Sequence, residues 1–310
     1  MASQINRTSW HKLKRYKTLY LMVLPGVIYL LINNYLPMLG LVIAFKDINF
    51  SKGIIASDWI GLKNFEYLFK TDDAYIITRN TILYNIAFIA LNLVIAVALA
   101  ILLNELKSRL YSRFYQSVIL LPYLISSVIV GYLVFSLLSM EHGFINKSIL
   151  PLLGLDEMMW YNEPKYWPYI LTVVQIWKHV GYLCVIYLAA VLGIDHEYYE
   201  AATIDGAGKI QQIFSVTIPL ITPVIVIMTL LQIGRIFHSD FGLFYQVPLD
   251  SGMLQPTTNV IDTYVYRALL KNGDIGMSSA AGLYQSVVGF ILVLLSNFVV
   301  RKINRDNALF

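Results

Sequence analysis

Charge is scarce in this chain. Of 310 residues only 14% are Asp, Glu, Lys or Arg, against about a quarter in soluble domains, so water is not its main solvent. Cysteine is rarer still. Cys184 stands alone in an apolar stretch, which excludes an intrachain disulfide and a thiolate metal cluster and leaves the residue as a small buried apolar group. The five histidines, His11, His142, His179, His196 and His238, are scattered, and no His-Glu-x-x-His spacing is present to hold a catalytic zinc. A Gly-x-Ser-x-Gly elbow for a nucleophile is missing as well. So is the phosphate-cradling Gly-x-x-x-x-Gly-Lys-Ser/Thr loop: the one Gly-Lys pair, Gly208-Lys209, has Thr203 in place of the first glycine and Ile210 in place of the hydroxyl residue. The chain has no recognisable acid, base, nucleophile, metal or nucleotide set, and reads as a non-enzyme.

What remains is apolar. Hydrophobic residues make up 57% of the chain and the mean hydropathy is +0.63. A disordered chain, a coiled coil, a secreted disulfide scaffold and a nucleic-acid binder are excluded together, and the lipid bilayer becomes the first partner. Charge-free runs of the length a bilayer core requires, about 20 residues, locate the spans. Thr18 to Phe45, Asn80 to Asn104, Phe114 to Met140, Ile210 to Gly234 and Ile275 to Val300 each suffice, and a sixth run, Tyr166 to Ile194, is interrupted only by Lys178. The expected fold is an all-α polytopic bundle of six membrane helices, with both termini on one side. The ten-residue alternation of a membrane β-barrel is absent. The first run is too long for a signal-peptide core and shows no small-residue cleavage site, so it reads as retained.

Lys and Arg set the orientation. Arg7, Lys12, Lys14, Arg15 and Lys17 precede the first span, Lys107, Arg109 and Arg113 lie in the second connection, and Arg301, Lys302 and Arg305 in the tail. These segments are expected in the cytoplasm. The opposite loops, roughly 46–79, 141–167 and 238–274, carry Asp47, Asp58, Asp72, Asp73, Asp250 and Asp262 and are expected outside. The resulting organisation is a basic segment 1–17, a membrane domain 18–300 and a tail 301–310, in a multi-pass protein of the cell membrane. One cytoplasmic connection breaks the rule. From Asp195 to Lys209 it carries Asp195, Glu197, Glu200 and Asp205 against Lys209 alone, a pattern suited to a protein partner.

In that connection Asp195 can cap a short helix through Tyr199 and Ala202. Gly206 and Gly208 permit a sharp turn, and a second amphipathic segment carries Ile210, Ile213 and Phe214 towards the membrane. The residues alone leave open a folded interfacial loop without a partner. The spacing of Glu200-Ala201-Ala202, then Gly206, then Val216, Ile218 and Pro219 resembles the EAA loop of ABC importer permeases, with Val and Ile in place of the more usual Ile and Leu. The resemblance covers nearly the whole chain. Leu24-Pro25-Gly26, Asn34 to Gly40 and Ala44 to Asp47 look like the first span of polysaccharide-type carbohydrate permeases. Gly61 to Phe65, Arg79-Asn80-Thr81, Val260 to Arg267 and Gly282 to Ser286 look like their first external loop, second span, last external loop and sixth span.

The resemblance implies a type I importer permease, nearest to the group handling pectin- or alginate-derived oligosaccharides. It implies a coupling loop, 195–219, in which Ala201, Ala202 and Ala207 allow close approach, Gly206 turns the chain, and Glu200 and Asp205 make polar contacts. The implied partners are a second homologous permease, two ATP-binding cassette subunits that hold ATP and Mg, an extracytoplasmic solute-binding protein and an oligosaccharide. A secondary transporter or channel would need no ATPase, and an inverted internal repeat would favour it, but the halves show no convincing similarity.

Polar groups inside spans are costly and face protein or water. Gln175, Lys178 and Tyr182 share a helical face, with Trp177 beside them. They are candidates for a sugar-facing patch, or alternatively for interhelix bonds. Asn34 in the first span and Asn85 in the second invite the same two readings, and there structural hydrogen bonding between helices is the favoured one.

Overall fold

The computed structural model describes residues 16–106 and 108–303; Arg7, Lys12, Lys14, Arg15, Lys107 and Arg305 lie outside the described residues. The helices used below are, in chain order, α1 (Lys17–Leu30), α2 (Lys63–Lys70), α3 (Asp72–Asn104), α4 (Arg109–Leu124), α5 (Ser127–Leu138), α6 (Trp167–Leu192), α7 (His196–Ile204), α8 (Lys209–Gln212), α9 (Ile218–Ile233), α10 (Phe241–Gln246), α11 (Ile261–Leu270) and α12 (Ile275–Ile303). Among the described residues, five segments are long and apolar enough to cross a bilayer unaided: Lys17–Phe45, Asp72–Asn104, Pro164–Leu192, Lys209–Ile233 and Ile275–Lys302. The protein is thus an all-α membrane bundle.

The run Phe114 to Met140 departs from expectation. It is not one rod but a broken pair, with α4 and α5 bent by 96°. Pro122 removes a backbone donor near the end of α4, and Ile125 and Ser126 turn extended, with ψ of 133° and 147°. Ser126 then caps α5, its side chain accepting from the Ile129 N–H at 3.4 Å. The pair still makes a passage, the third in chain order, which brings the total among the described residues to six. Tyr84 and Phe88 of α3 share a buried cluster with Trp167, Leu171 and Val174 of α6, while Ala96 and Ala100 share another with Val180, Cys184 and Tyr187. The two helices therefore run parallel, and the chain must cross back between them.

Close approach holds α4 on α6. A Cβ added at Gly181 would lie 2.0 Å from the Ile119 carbonyl oxygen, so only glycine fits there. Cys184 is 1% exposed within the α3–α6 cluster, a small buried apolar group.

α3 has 33 residues, about 50 Å of helix where the bilayer core takes about 30 Å. Its first turn therefore projects beyond the apolar run, with Asp72 and Asp73 placed favourably at the helix N-terminus. Three π-helical turns, Leu31–Tyr35, Ile145–Ile149 and Ile213–Thr217, each end two residues before a proline: Pro37, Pro151 and Pro219. A proline lacks the N–H for the carbonyl four residues back and clashes with it, and the widened turn displaces that carbonyl.

One end of the bundle carries the long loops and is stitched by side-chain amides. Buried Asn146 donates to the carbonyls of Ser139 (3.1 Å) and Met158 (3.0 Å) and accepts from the Met158 N–H and Trp160 Nε1, both at 3.1 Å. Asn80 Nδ2 donates to the Asn259 carbonyl at 2.9 Å, and Thr81 Oγ1 accepts from the Ile261 N–H at 3.1 Å. These bonds fix the segment before α11 onto α3. Arg267 donates to Asp250 Oδ1 at 2.7 Å, and Lys271 bonds the other oxygen. Burial pushes the Asp250 carboxyl up, but the hydrogen bonds from Lys271 and Arg267 and their charges outweigh it and hold it below its ordinary range.

Candidate functional site

The segment between α6 and α9 folds as a helix, a tight turn and a second helix. Asp195 is the N-cap, accepting from the Glu197 N–H at 3.2 Å. α7 ends in a Schellman turn. The Gly206 N–H donates to the Thr203 carbonyl (3.0 Å) and the Ala207 N–H to the Ala202 carbonyl (2.9 Å), while Gly206 takes φ +81°. Ala202 and Ala207 are half-buried at this junction; Glu200, Ala201 and Asp205 are exposed. The expectation that both glycines bend the chain is corrected at one position. Gly208 has φ −70° and ψ 166°, extended backbone open to any residue, and serves as the N-cap of α8.

The second helix is also not a separate amphipathic piece. From Lys209 it runs through a π turn into the fifth span. Side chains hold α7 and its turn against this helix, and tie the helix in turn to the end of α3. Buried Gln212 donates to Thr203 Oγ1 (3.0 Å) and the Ala207 carbonyl (3.1 Å). Tyr199 Oη lies 3.0 Å from Thr217 Oγ1, and Lys209 pairs with Glu105 at 3.2 Å. Tyr199, Glu200, Thr203, Ala207, Lys209 and Gln212 line an open cavity of about 520 Å³. Ile204, 87% exposed, lines it too.

The intramembrane candidates separate. Asn85 Nδ2 donates to the carbonyls of Thr81 and Ile236, both at 2.9 Å, tying α3 to the chain just beyond α9. Asn34 is exposed in the π turn of the first span, away from the rest. On α6, Gln175 Oε1 is buried without a hydrogen-bond partner among the described residues, while Trp177 and Tyr182 are each 43% exposed. Lys178 is buried and donates to Ser127 Oγ at 2.6 Å, with Asp240 Oδ2 at 4.0 Å. His179 Nε2 lies 4.0 Å from that same oxygen. Tyr123 stacks on Tyr182 at 4.9 Å and 14° and meets the His179 ring edge-on at 5.7 Å. Sequence reading missed Ser127, Tyr123 and Asp240 as members of this group because they come from segments other than α6, Asp240 from an external loop; it missed His179 although this residue stands beside Lys178 on α6, four positions from Gln175, where helical spacing could have found it. Among the described residues no His, Cys, Asp and Glu cluster is arranged to hold a metal ion.

A bundle of six passages with a capped, Schellman-turned helix between the fourth and fifth matches a known class. Residues 93–305 match the family of binding-protein-dependent transport system inner membrane components, and the chain belongs to that family. It is a multi-pass membrane transport subunit, not an enzyme. Among its relatives is the polygalacturonan/rhamnogalacturonan transport system permease protein YteP of Bacillus subtilis (strain 168), 39% identical over 95% of this chain and 91% of that protein. Protein LplB of the same organism is 33% identical over 95% and 92%. In structure the chain resembles a subunit of a bacterial ABC transporter involved in the import of the acidic polysaccharide alginate, with TM-score 0.88 and 32% identity over 96% of this chain and 99% of that one. A second structure of a bacterial alginate ABC transporter, in complex with an alginate pentasaccharide-bound periplasmic protein, gives TM-score 0.85 and 32% identity over 95% and 97%.

Proposed function

We propose that this chain is one permease subunit of an ATP-driven importer for acidic oligosaccharides released from uronate-containing polysaccharides. The observation that carries the reading is the 39% identity to a polygalacturonan/rhamnogalacturonan permease along nearly the full chain. The likeness to the alginate importer supports the same substrate chemistry, and a lysine inside the bundle suits an anionic sugar. A second homologous permease completes the pathway, an extracytoplasmic binding protein delivers the oligosaccharide to the long-loop end, and two ATPase subunits, which hold ATP and Mg, dock at the other.

The turn from Glu200 to Ala207 is the coupling surface. Two features of α7 work against its stability as an isolated helix. Asp205 puts a negative charge at the helix C-terminus, where the dipole disfavours it, and Ile204 is fully offered to solvent. A docked ATPase accounts for both. In this orientation both termini and the 195–219 loop are cytoplasmic. Closure of the ATPase pair draws the coupling turns together and opens the pathway outward; hydrolysis resets it.

Uptake by vesicles reconstituted with all subunits tests the reading: trigalacturonate or an alginate trimer should be imported in an ATP-dependent manner, and import of neutral oligosaccharides alone would refute it. Topology is checked in a Cys184→Ala background, where Glu200→Cys should be labelled only from the cytoplasmic side and Gln255→Cys only from outside.

A further inference from the structure

Lys178 is poorly matched by its own chain. Its one hydrogen bond among the described residues is to Ser127 Oγ, and its counter-ion stands off, with Asp240 Oδ2 at 4.0 Å. A charge-assisted bond would close to about 2.7–2.9 Å. The two carboxylate oxygens have different tasks. Oδ1 caps α10, accepting from the Leu243 N–H at 3.1 Å. Oδ2 accepts no hydrogen bond among the described residues and lies between Lys178 Nζ and His179 Nε2, 4.0 Å from each. A lysine buried in a membrane protein with its carboxylate held one step away is neutralised but not satisfied.

The surroundings offer surfaces for a sugar ring on either side. Next to Asp240, Phe241 stacks on Tyr245 at 5.0 Å, and Tyr266 closes a three-ring platform at 4.8 and 5.0 Å. Past His179, Tyr123 and Tyr182 form the stacked pair described above, 38% and 43% exposed. Asp240 and His179 are themselves a quarter or more exposed, so the carboxylate can be reached although Lys178 is buried. The site sits at the break between α4 and α5, since Ser127 is the first residue of α5.

We infer that Lys178, Ser127 and Asp240 form a carboxylate-exchange site on the translocation path. The carboxylate of a passing hexuronate displaces Asp240 Oδ2 from Lys178, while its pyranose ring lies against the neighbouring aromatic faces. Asp240 then returns as the uronate moves on, so that Lys178 is never left without a counter-ion. A neutral sugar has nothing to offer in exchange for Asp240. This inference rests on the acidic-oligosaccharide reading above and assigns that reading's selectivity to one place in the chain.

The test uses the complete importer in vesicles, with trigalacturonate as probe. Lys178→Gln should reduce its uptake at limiting concentration by about tenfold, and Lys178→Arg should restore most of it. Asp240→Asn keeps the helix cap, because asparagine also caps, but removes the competing charge. It should therefore lower the half-saturating trigalacturonate concentration and slow release. A purely structural ion pair predicts the reverse for this variant: weaker uptake, in parallel with Lys178→Gln. If Lys178→Gln fails to assemble, the sign of the Asp240→Asn effect decides alone. Raised half-saturation or unchanged kinetics in Asp240→Asn overturns the exchange site. If the wild-type importer takes up no uronate oligomer, the substrate reading fails instead, before any variant is compared.

Discussion

Serine placed at position 206 and, in a separate protein, at position 208 separates backbone conformation from every other property of the turn proposed to couple to the ATPase. A Cβ added at either glycine meets no atom within 4 Å, so sterics are the same in both. The backbone differs. Gly206 has φ +81°, where an L-residue costs about 1–2 kcal/mol. Gly208 has φ −70° and occupies the N-cap of α8, where serine is preferred over glycine by a few tenths of a kcal/mol and also restricts the unfolded chain. Gly206→Ser should therefore weaken the turn and Gly208→Ser should strengthen it slightly. The gap of about 2 kcal/mol amounts to a roughly thirtyfold difference in the equilibrium between closed and open turn. Hydrogen exchange of the amides of 204–208, read by mass spectrometry on the purified complex, measures it directly. Binding-protein-stimulated ATPase activity should fall in Gly206→Ser and persist in Gly208→Ser. Equal protection in the two variants would refute the conformational argument, and loss of coupling in both with protection intact would place the effect at the ATPase contact instead.

Three further outcomes follow from the packing and charge. Gly181→Ala forces a methyl group to within 2.0 Å of the Ile119 carbonyl oxygen, and overpacking of this kind costs about 1–3 kcal/mol; the detergent-solubilised complex should melt earlier, whereas Gly282→Ala, inside α12 with nothing within 4 Å, should not lower the midpoint, since alanine favours a helix over glycine. Asp250 is held below its ordinary carboxyl range, so its contribution is complete above the unfolded value and is lost as pH falls through the lower native one. Hydrogen-exchange protection of 247–254 should accordingly collapse only in acid, and Asp250→Asn should abolish that dependence and loosen the loop already at neutral pH. Asn146→Ala removes the acceptor of two N–H groups and the donor to two carbonyls; leaving such groups unpaired costs about 1–3 kcal/mol each where they are buried, so limited proteolysis between 155 and 165 should accelerate with the membrane helices intact.

The geometry of the turn from Glu200 to Ala207 was legible because its determinants are local. A capping aspartate, alanines at the close junction and a glycine four residues past Ala202 favour a Schellman turn locally. The conformation of Gly208 was misjudged, since a glycine in sequence does not reveal whether its backbone uses the freedom it has, and so was the second helix, which continues into the fifth span. The intramembrane polar cluster was legible in half. Lys178, with Gln175, Trp177 and Tyr182, stood out because charge and amides are rare in an apolar run. Ser127 and Asp240 did not, because a serine and a loop aspartate are unremarkable until packing brings them together.

The sequence alone determined the membrane, the number of passages and the family. Transfer from water to lipid is a sum over neighbouring residues, so apolar runs, the charges between them and a fixed-offset motif hold their meaning before folding. The tertiary structure decided that α3 and α6 run parallel, that the third passage breaks after Pro122, and that Lys178 lies 4.0 Å from Asp240, 62 positions along the chain. Those distances depend on which helix faces meet and how closely glycines such as Gly181 let them approach, and that is a property of the packed bundle, not of any single stretch of residues.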